Sequence, residues 1–291
     1  MVLGPTASGK SDLAMHLAQK YNGEVISADS RQVYRGMDIG TGKVTKKEMG
    51  GIPHHLLDVA SPRKNFDVVQ WKKKADKAVR NITKRGKLPI VCGGTGLYIK
   101  ALVENIEYPD APQNWKLRKV LEKKTTKQLF AMLKKLDPAR AKTIDPHNPR
   151  RLIRAIEIVK HTGKAVPKKN ITPQYDALLL GITKTDAELK KRIRARLLAR
   201  IKKGMIAEVK KLHDHGVSWK RMEELGLEYK YIALFLQKKM DKKTMIETLE
   251  TKIGQYAKRQ MTWFRATPHV QWITSEKKAK TALRAFLRAT Q

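Results

Sequence analysis

Along the first hundred residues, short wholly apolar runs alternate with stretches whose apolar positions recur every three or four residues. That alternation is the grammar of a parallel sheet covered by helices. Met1–Leu3 reads as a strand, the glycine-containing "GPTASGKS" as a turn, "SDLAMHLAQKY" as a helix and "EVISA" as a second strand. "NFDVVQWKKKADKAVRNITKRGK" has helical spacing, with Val69, Ala75 and Val79 on one face, and "LPIVCGG" reads as a strand buried on both sides. Three residues are short for a strand in such a sheet, so the natural start is expected further upstream.

The pattern changes near Pro109, where helical stretches are separated by "YPDAPQ", "LDPAR" and "IDPHNPRR" and followed by the loop "VPKKNITPQ". This predicts an α/β core over 1–109 and 176–291, interrupted by a helical insertion over 110–175. "ALLLGIT" returns as a strand, and "TDAE" (Thr185 to Glu188) is a capping box opening a basic helix. Leu189, Ile193, Leu197 and Ile201 line that helix, which is expected to end near Gly216. Two further helices, the strand "VQWIT" and a last helix complete the chain.

Charge adds a partner. The 291 residues hold 62 Lys+Arg against 27 Asp+Glu, a formal net charge of +35. Such an excess points to a polyanion, with nucleic acid foremost. A general bias toward lysine is the competing reading, because the lysine pairs are scattered rather than gathered in one tail. No run of about 18 apolar residues and no signal-peptide pattern is present, so a cytoplasmic protein without a membrane segment is expected. The lone Cys92 excludes a disulfide framework or a Cys-rich zinc module and reads as a buried strand residue.

The candidate chemistry begins at Gly4. Gly4, Pro5, Thr6, Ala7, Ser8, Gly9, Lys10 and Ser11 fit G-x-x-x-x-G-K-[ST] between a strand and a helix, the setting of a P-loop. Backbone N–H groups and the helix N-terminus would surround a diphosphate, Lys10 would neutralise its oxygens, and the Ser11 hydroxyl would ligate Mg²⁺. A nucleotide hydrolase also needs a strand ending in a metal-binding Asp, whereas "LPIVCGG" ends in glycines and is followed by a hydroxyl, Thr95. The phosphate is therefore expected to leave rather than be hydrolysed. Asp29 lies at the carboxyl end of the second strand, where ligands of such sheets bind and where a carboxylate can accept a proton. "QYAKRQMTWFR" supplies a basic pair, Lys258 and Arg259, on a helix expected to face the cradle and to hold diphosphate or RNA backbone.

"GPTASGKS", "ISADSRQVYRGMDIGTGK", "PHHLLD", "GGTGLYIKAL", "NPRRLIRAIEI" and "AKRQMTWFR" occur in the order and spacing of the tRNA dimethylallyltransferases, and the chain resembles that family, in its bacterial type, from Gly4 to about Trp272. The resemblance implies a P-loop-like fold without hydrolysis: the cradle holds dimethylallyl diphosphate and the dimethylallyl group passes to the exocyclic amine of an adenine in the anticodon stem-loop. It implies that Asp29 is the base and that Thr95 and Lys10 lie at the reacting groups. It further implies that Asp29, Ser30, Arg31 and Gln32 meet the target and that Arg150, Arg151, Leu152, Ile153 and Arg154 contact tRNA, with Arg118 a further contact. The family's G-Y-[RK] tripeptide reads "LGLEYKY" here, making Lys230 the nearest match for a basic residue near the diphosphate, and "GTAKP" reads "GTGKV", with Val44 for proline and a freer Gly42. A monomer is the default expectation. An adenylate dimethylallyltransferase, a small-molecule P-loop kinase and a nucleic-acid-binding protein with a dead cradle are the alternatives; the charge and the insertion disfavour the first two, and the presence of Lys10, Ser11, Asp29 and Thr95 disfavours the third.

Overall fold

The computed structural model describes residues 1–167 and 171–289, so three residues of the loop read over 166–174 lie outside the described residues. The chain divides into two compact units, Met1–Asn105 with Pro173–Gln291, and Ile106–Thr172.

In chain order the first unit begins with β1 (Val2–Leu3), α1 (Lys10–Lys20), β2 (Gly23–Ser27), β3 (His54–His55), α2 (Val68–Lys84), β4 (Leu88–Gly93) and α3 (Gly96–Val103). The second unit holds α4 (Trp115–Leu121), α5 (Thr126–Leu136), α6 (Pro138–Ala141) and α7 (Pro149–Thr162). The first unit resumes with β5 (Leu179–Ile182), α8 (Asp186–Lys202), α9 (Met205–Asp214), α10 (Trp219–Leu225), α11 (Leu227–Leu236), α12 (Lys242–Arg265), β6 (Val270–Ile273) and α13 (Glu276–Ala289).

Among the described residues the six strands form one parallel sheet in the order β3-β2-β4-β1-β5-β6. Side chains alternate across a strand, so neighbouring residues serve opposite faces. Leu3, Ile26, Val91 and Leu179 join one core cluster with Trp71, Ile82, Ile99 and Leu197, while Val2, Val25, Ile90 and Leu180 join another with Leu13, Leu17 and Leu283. Each such aliphatic side chain contributes about 1.5–3 kcal/mol when fully buried, and burial on both faces is why these strands read as unbroken apolar runs. Trp71 is wholly buried, stacks on Tyr98 at 4.6 Å and donates from Nε1 to the Ser27 carbonyl at 3.0 Å, so α2 and α3 are fastened to the end of β2.

Several elements differ from the sequence reading. The helix opened by the Thr185 capping box stops at Lys202 rather than near Gly216, because Gly204 takes a left-handed φ of 103° and a separate α9 follows. Three helices, not two, then precede β6. Val69 is exposed; the inner face of α2 is set instead by Trp71, Ala75, Ala78, Val79 and Ile82, after a capping box between Asp67 and Gln70. The two-residue strand β3 carries no pattern long enough to be read from sequence.

The second unit packs Leu121, Leu129, Leu133, Ile144, Leu152, Ile153 and Ile156 into its own core. Its helix starts are closed by side chains: Asn114 accepts from Leu117 N–H, Thr125 from Gln128 N–H, Asp137 from Arg140 N–H and Asn148 from Arg151 N–H.

Candidate active site

Because all strands run parallel, the segments after β1, β2 and β4 emerge at one edge of the sheet. After β1 the chain turns sharply: Gly4 has φ 159°, Ala7 φ 63° and Gly9 φ 95°. A Cβ on Gly4 would lie 2.8 Å from the Ile182 carbonyl oxygen, so only glycine permits this approach. Helix α1 starts at Lys10 with no side-chain cap among the described residues, which leaves its first N–H groups directed into the turn. The Ser8 hydroxyl is buried without a hydrogen-bond partner among the described residues. Buried polar groups are rarely left so, and an uncapped helix start beside an orphaned hydroxyl is a cradle suited to an anion.

Lys10 Nζ donates to the Pro5 carbonyl at 3.2 Å. Burial pushes its pKa down, opposed by the Cys92 thiol and the Asp29 carboxylate, with Arg196 adding to the downward shift. A bound anion would relieve that desolvation. Cys92 lies beneath the cradle, its thiol donating to the Lys10 carbonyl at 3.5 Å; burial pushes it up to about 11, which makes it a packing residue rather than a nucleophile.

After β2, Asp29 forms a tight turn: Oδ1 accepts from the N–H of Arg31 at 2.8 Å and of Gln32 at 3.3 Å. One carboxylate oxygen is thus held, and among the described residues the other has no hydrogen-bond partner. After β4, Thr95 Oγ1 accepts from Ser30 N–H at 3.0 Å, and Thr95 N–H donates to the Ala28 carbonyl at 3.1 Å. The "GG" before Thr95 is required by crowding, since a Cβ on Gly93 would lie 2.2 Å from the Ala28 oxygen. The phosphate turn, the Asp29 turn and the Thr95 turn therefore converge. The Asp29 charge is felt at Lys10, Tyr98, Glu228 and Tyr256, and each of the two tyrosines is held above the usual range first of all by burial.

Three arginines one turn apart on α8 were read in sequence only as part of a basic helix. Arg192 Nε donates to the Ala7 carbonyl at 2.8 Å, Arg196 lies beside Gly42 (φ 61°, with a Cβ 3.3 Å from Nη2), and Arg200 bridges the Gly40 carbonyl at 2.6 Å and Glu228 at 3.1 Å. A spacing of four residues opposite the glycine-rich cradle was the available signal.

The "RGMDIGTGK" stretch is held by buried charge. Lys43 is paired with Asp38 and Asp58, both at 2.6 Å, and donates to the Tyr34 carbonyl at 2.9 Å. Glu208 accepts from the N–H groups of Asp38, Ile39 and Gly40 and from the Tyr229 hydroxyl. These contacts fix the conformation of the loop.

The surroundings of the other expected residues vary. Lys230 Nζ stands 5.7 Å over the Tyr231 ring, and the charged group of α11 coupled to Asp29 is Glu228, which burial pushes above the usual carboxylate range. Lys258 and Arg259 are exposed, Arg259 lying 5.9 Å over Tyr256; α12 meets the cradle through buried Gln260, whose Oε1 accepts from Thr6 N–H at 2.8 Å. The backbone N–H of Thr6 is therefore engaged within the protein. In the second unit, Leu152 and Ile153 are core residues, so their side chains offer nothing to RNA. Arg118 makes two bonds to the buried Glu157, at 2.6 and 2.7 Å, and Arg154 donates to the Ala111 carbonyl at 2.7 Å, while Arg150 and Arg151 stand exposed.

A Mg²⁺ ion would ask little of the protein. Among the described residues no group of three His, Cys, Asp or Glu side chains could hold an ion. Mg²⁺ keeps water and substrate phosphate oxygens as ligands and needs only one or two protein oxygens, which the exposed Ser11, on the first turn of α1, fits.

Comparison with known proteins agrees with this geometry. The family model described as IPP transferase matches residues 32–267. The chain is 41% identical to a tRNA dimethylallyltransferase of Anoxybacillus flavithermus over 279 residues, covering 94% of this chain and 88% of that one, and 43% identical to tRNA dimethylallyltransferase 1 of Syntrophus aciditrophicus over 269 residues, covering 91% and 88%. Among solved structures it is similar to the tRNA delta(2)-isopentenylpyrophosphate transferase of Staphylococcus epidermidis, with a TM-score of 0.72, 38% identity, and 99% and 97% of the two chains covered. It is also similar to a eukaryotic dimethylallyltransferase acting on tRNA, with a TM-score of 0.77, 31% identity, and 90% and 68% covered. With a parallel sheet, a glycine-bounded anion turn and a sequence match across most of its length, the chain belongs to the IPP transferase family.

Proposed function

We infer that this chain is a tRNA dimethylallyltransferase, moving the dimethylallyl group of dimethylallyl diphosphate to the exocyclic amine of an adenine beside the anticodon and releasing pyrophosphate. The observation that carries the reading is the half-free carboxylate of Asp29 at the sheet edge that also bears the uncapped cradle, close enough for its charge to act on Lys10.

The adenine amine is a weak nucleophile because its lone pair is shared with the ring. As nitrogen bonds to the allylic carbon, the carbon–oxygen bond to the diphosphate breaks, and the free oxygen of Asp29 takes the amine proton. Negative charge grows on the departing diphosphate, where the α1 N–H groups, the Ser8 hydroxyl and the Lys10 and Arg192 cations stabilise it. Ser11, together with the diphosphate, would hold Mg²⁺, which would supply further charge neutralisation. Thr95, fixed by Ser30, sets the carboxylate turn against the acceptor. The free carboxylate oxygen and the absence of an acidic metal ligand after β4 support transfer over hydrolysis.

Charge on the second unit supports a macromolecular acceptor. Arg150 and Arg151 stand in solvent at the start of α7, available to RNA phosphates, whereas Arg118 and Arg154 brace Glu157 behind them. The adenine must be drawn from its stack before it can react, at a cost of about a few kcal/mol. The deciding experiment incubates the protein with labelled dimethylallyl diphosphate, Mg²⁺ and either unmodified tRNA or AMP. Label in tRNA adenine and none in AMP is expected; label in AMP alone would transfer the assignment to an adenylate dimethylallyltransferase.

A further inference from the structure

Gln260 is a buried polar side chain on α12, 6% exposed, and both ends of its amide are engaged. Oε1 accepts from Thr6 N–H at 2.8 Å, and Nε2 donates to the Gly94 carbonyl at 2.8 Å. One partner is a donor and the other an acceptor, so the orientation of the amide is fixed, and among side chains of its length only a protonated glutamic acid could also satisfy both. The fit is close: a Cβ on Gly94 would lie 2.2 Å from Nε2, and a Cβ on Gly96 would lie 2.2 Å from Trp263, the residue three positions after Gln260. Helix α12 therefore grips the Gly94–Gly96 turn with two residues on one face and the phosphate turn with the first of them.

The two turns that Gln260 joins serve opposite halves of the proposed reaction. Thr6 belongs to the cradle. Gly94 precedes Thr95, which receives Ser30 N–H at 3.0 Å, and the next N–H, of Arg31, binds Asp29 Oδ1 at 2.8 Å. A series of hydrogen bonds, joined through the Gly94–Thr95 and Ser30–Arg31 peptides, thus runs from Thr6 of the cradle to Asp29. Resting on the transfer reading above, we propose that Gln260 is a positioning residue: it locks the diphosphate turn to the Thr95–Asp29 turn, so that occupancy of the cradle sets the place of the acceptor. A misplacement of about 1 Å costs on the order of a hundredfold in rate, which is the effect expected when this tie is cut.

Gln260→Leu keeps the volume and removes both bonds. The single-turnover rate should fall about a hundredfold while the KM for dimethylallyl diphosphate and the Kd for tRNA stay within about threefold, the mark of an interaction that matters chiefly in the transition state. Gln260→Glu retains the acceptor for Thr6 but turns a carboxylate oxygen toward the Gly94 carbonyl, and only its protonated form can donate there. Its rate relative to the unsubstituted protein should therefore rise as pH falls from 8 to 6, a recovery that a merely structural role would not give. Hydrogen exchange with inorganic pyrophosphate as the probe reads the coupling without any prenyl transfer. Pyrophosphate should slow exchange at the backbone amides of Gly94 to Leu97 in the unsubstituted protein, and the slowing should vanish in Gln260→Leu, and in Gln260→Glu at pH 8, although pyrophosphate still binds. Equal slowing with and without Gln260, or a Gln260→Glu rate ratio flat in pH, overturns the proposal. Failure to label tRNA would overturn the transfer reading instead, leaving the exchange result to decide the coupling.

Discussion

The helix starts at the sheet edge of the site are finished differently from those of the second unit and from α2, α8, α10 and α12 of the first, which side chains cap. In the second unit α4, α5, α6 and α7 each begin with a side chain that accepts one of the orphan N–H groups: Asn114, Thr125, Asp137 and Asn148. At the sheet edge of the first unit, α1 has Gly9 and α3 has Thr95 at the N-cap, neither with a side-chain cap bond among the described residues, and Ser8 adds a buried hydroxyl without a partner among them. Capping an N-terminus contributes about 1 kcal/mol, so leaving it open at the sheet edge forgoes stability that the second unit collects four times. What is left open is what a diphosphate would complete. At this edge, the open N–H groups and the Ser8 hydroxyl mark the place an anion would occupy.

Substitutions at open and closed positions should therefore separate activity from stability. Lys10→Ala should have the largest effect, lowering kcat/KM by about 10²–10³, while thermal unfolding stays within a few degrees because a desolvated cation has been removed. Equal loss of melting temperature and activity would contradict the contrast.

Glu24 is a closed charge on β2, paired with Arg85 at 2.5 and 2.7 Å, His55 at 2.7 Å and Lys87 at 3.0 Å. The Arg85 guanidinium, helped by His55 and Lys87, holds its carboxyl far below the usual range despite opposing burial. A depressed folded-state pKa gives stability that is present above the unfolded value of about 4.3 and lost as pH falls below it. Glu24→Gln should lower stability by about 3 kcal/mol at pH 7, since its cations are partly solvated and the cost lies at the lower end for a broken buried pair. It should also flatten the acid limb of the melting profile below pH 4, with little change in transfer rate.

Asp137→Ala should cost about 2 kcal/mol, because Oδ1 caps α6 and Oδ2 accepts from Val166 N–H at 2.7 Å in a buried setting. Chemical denaturation should register the loss, with kcat unchanged in the folded fraction. The smallest effect belongs to Arg150→Ala with Arg151→Ala: tRNA affinity should weaken by about 1 kcal/mol or less per residue, and the slope of log K against log salt should diminish by about 2.

The strands and the cradle were legible because their signals are local. Doubly buried strands write continuous apolar runs, and an anion turn writes glycines at fixed spacing beside Lys10 and Ser11. Asp29 was legible from its place after such a run. Gln260 was not, because its two partners lie 254 and 166 residues away and nothing in "AKRQMTWFR" distinguishes an inward glutamine from the exposed Lys258 and Arg259 beside it. Arg192, Arg196 and Arg200 were hidden for a similar reason: a basic stripe on a helix reads as solvated until the facing loop is known. Gly204 was passed over because the apolar spacing continues into α9 while the backbone turns. Arg118 and Arg154 read as RNA contacts by position, yet a buried glutamate on the same unit engages both.

The account's central claim is that Asp29 accepts the acceptor's proton while the neighbouring cradle holds the leaving group. Asp29→Asn tests it most directly, because the amide oxygen can still accept from Arg31 and Gln32 and so preserve the turn while removing the base. Single-turnover transfer from labelled dimethylallyl diphosphate to tRNA should fall by about 10²–10⁴, with pyrophosphate and tRNA binding within about threefold of the unsubstituted protein. Transfer at an undiminished rate in that variant would contradict the account.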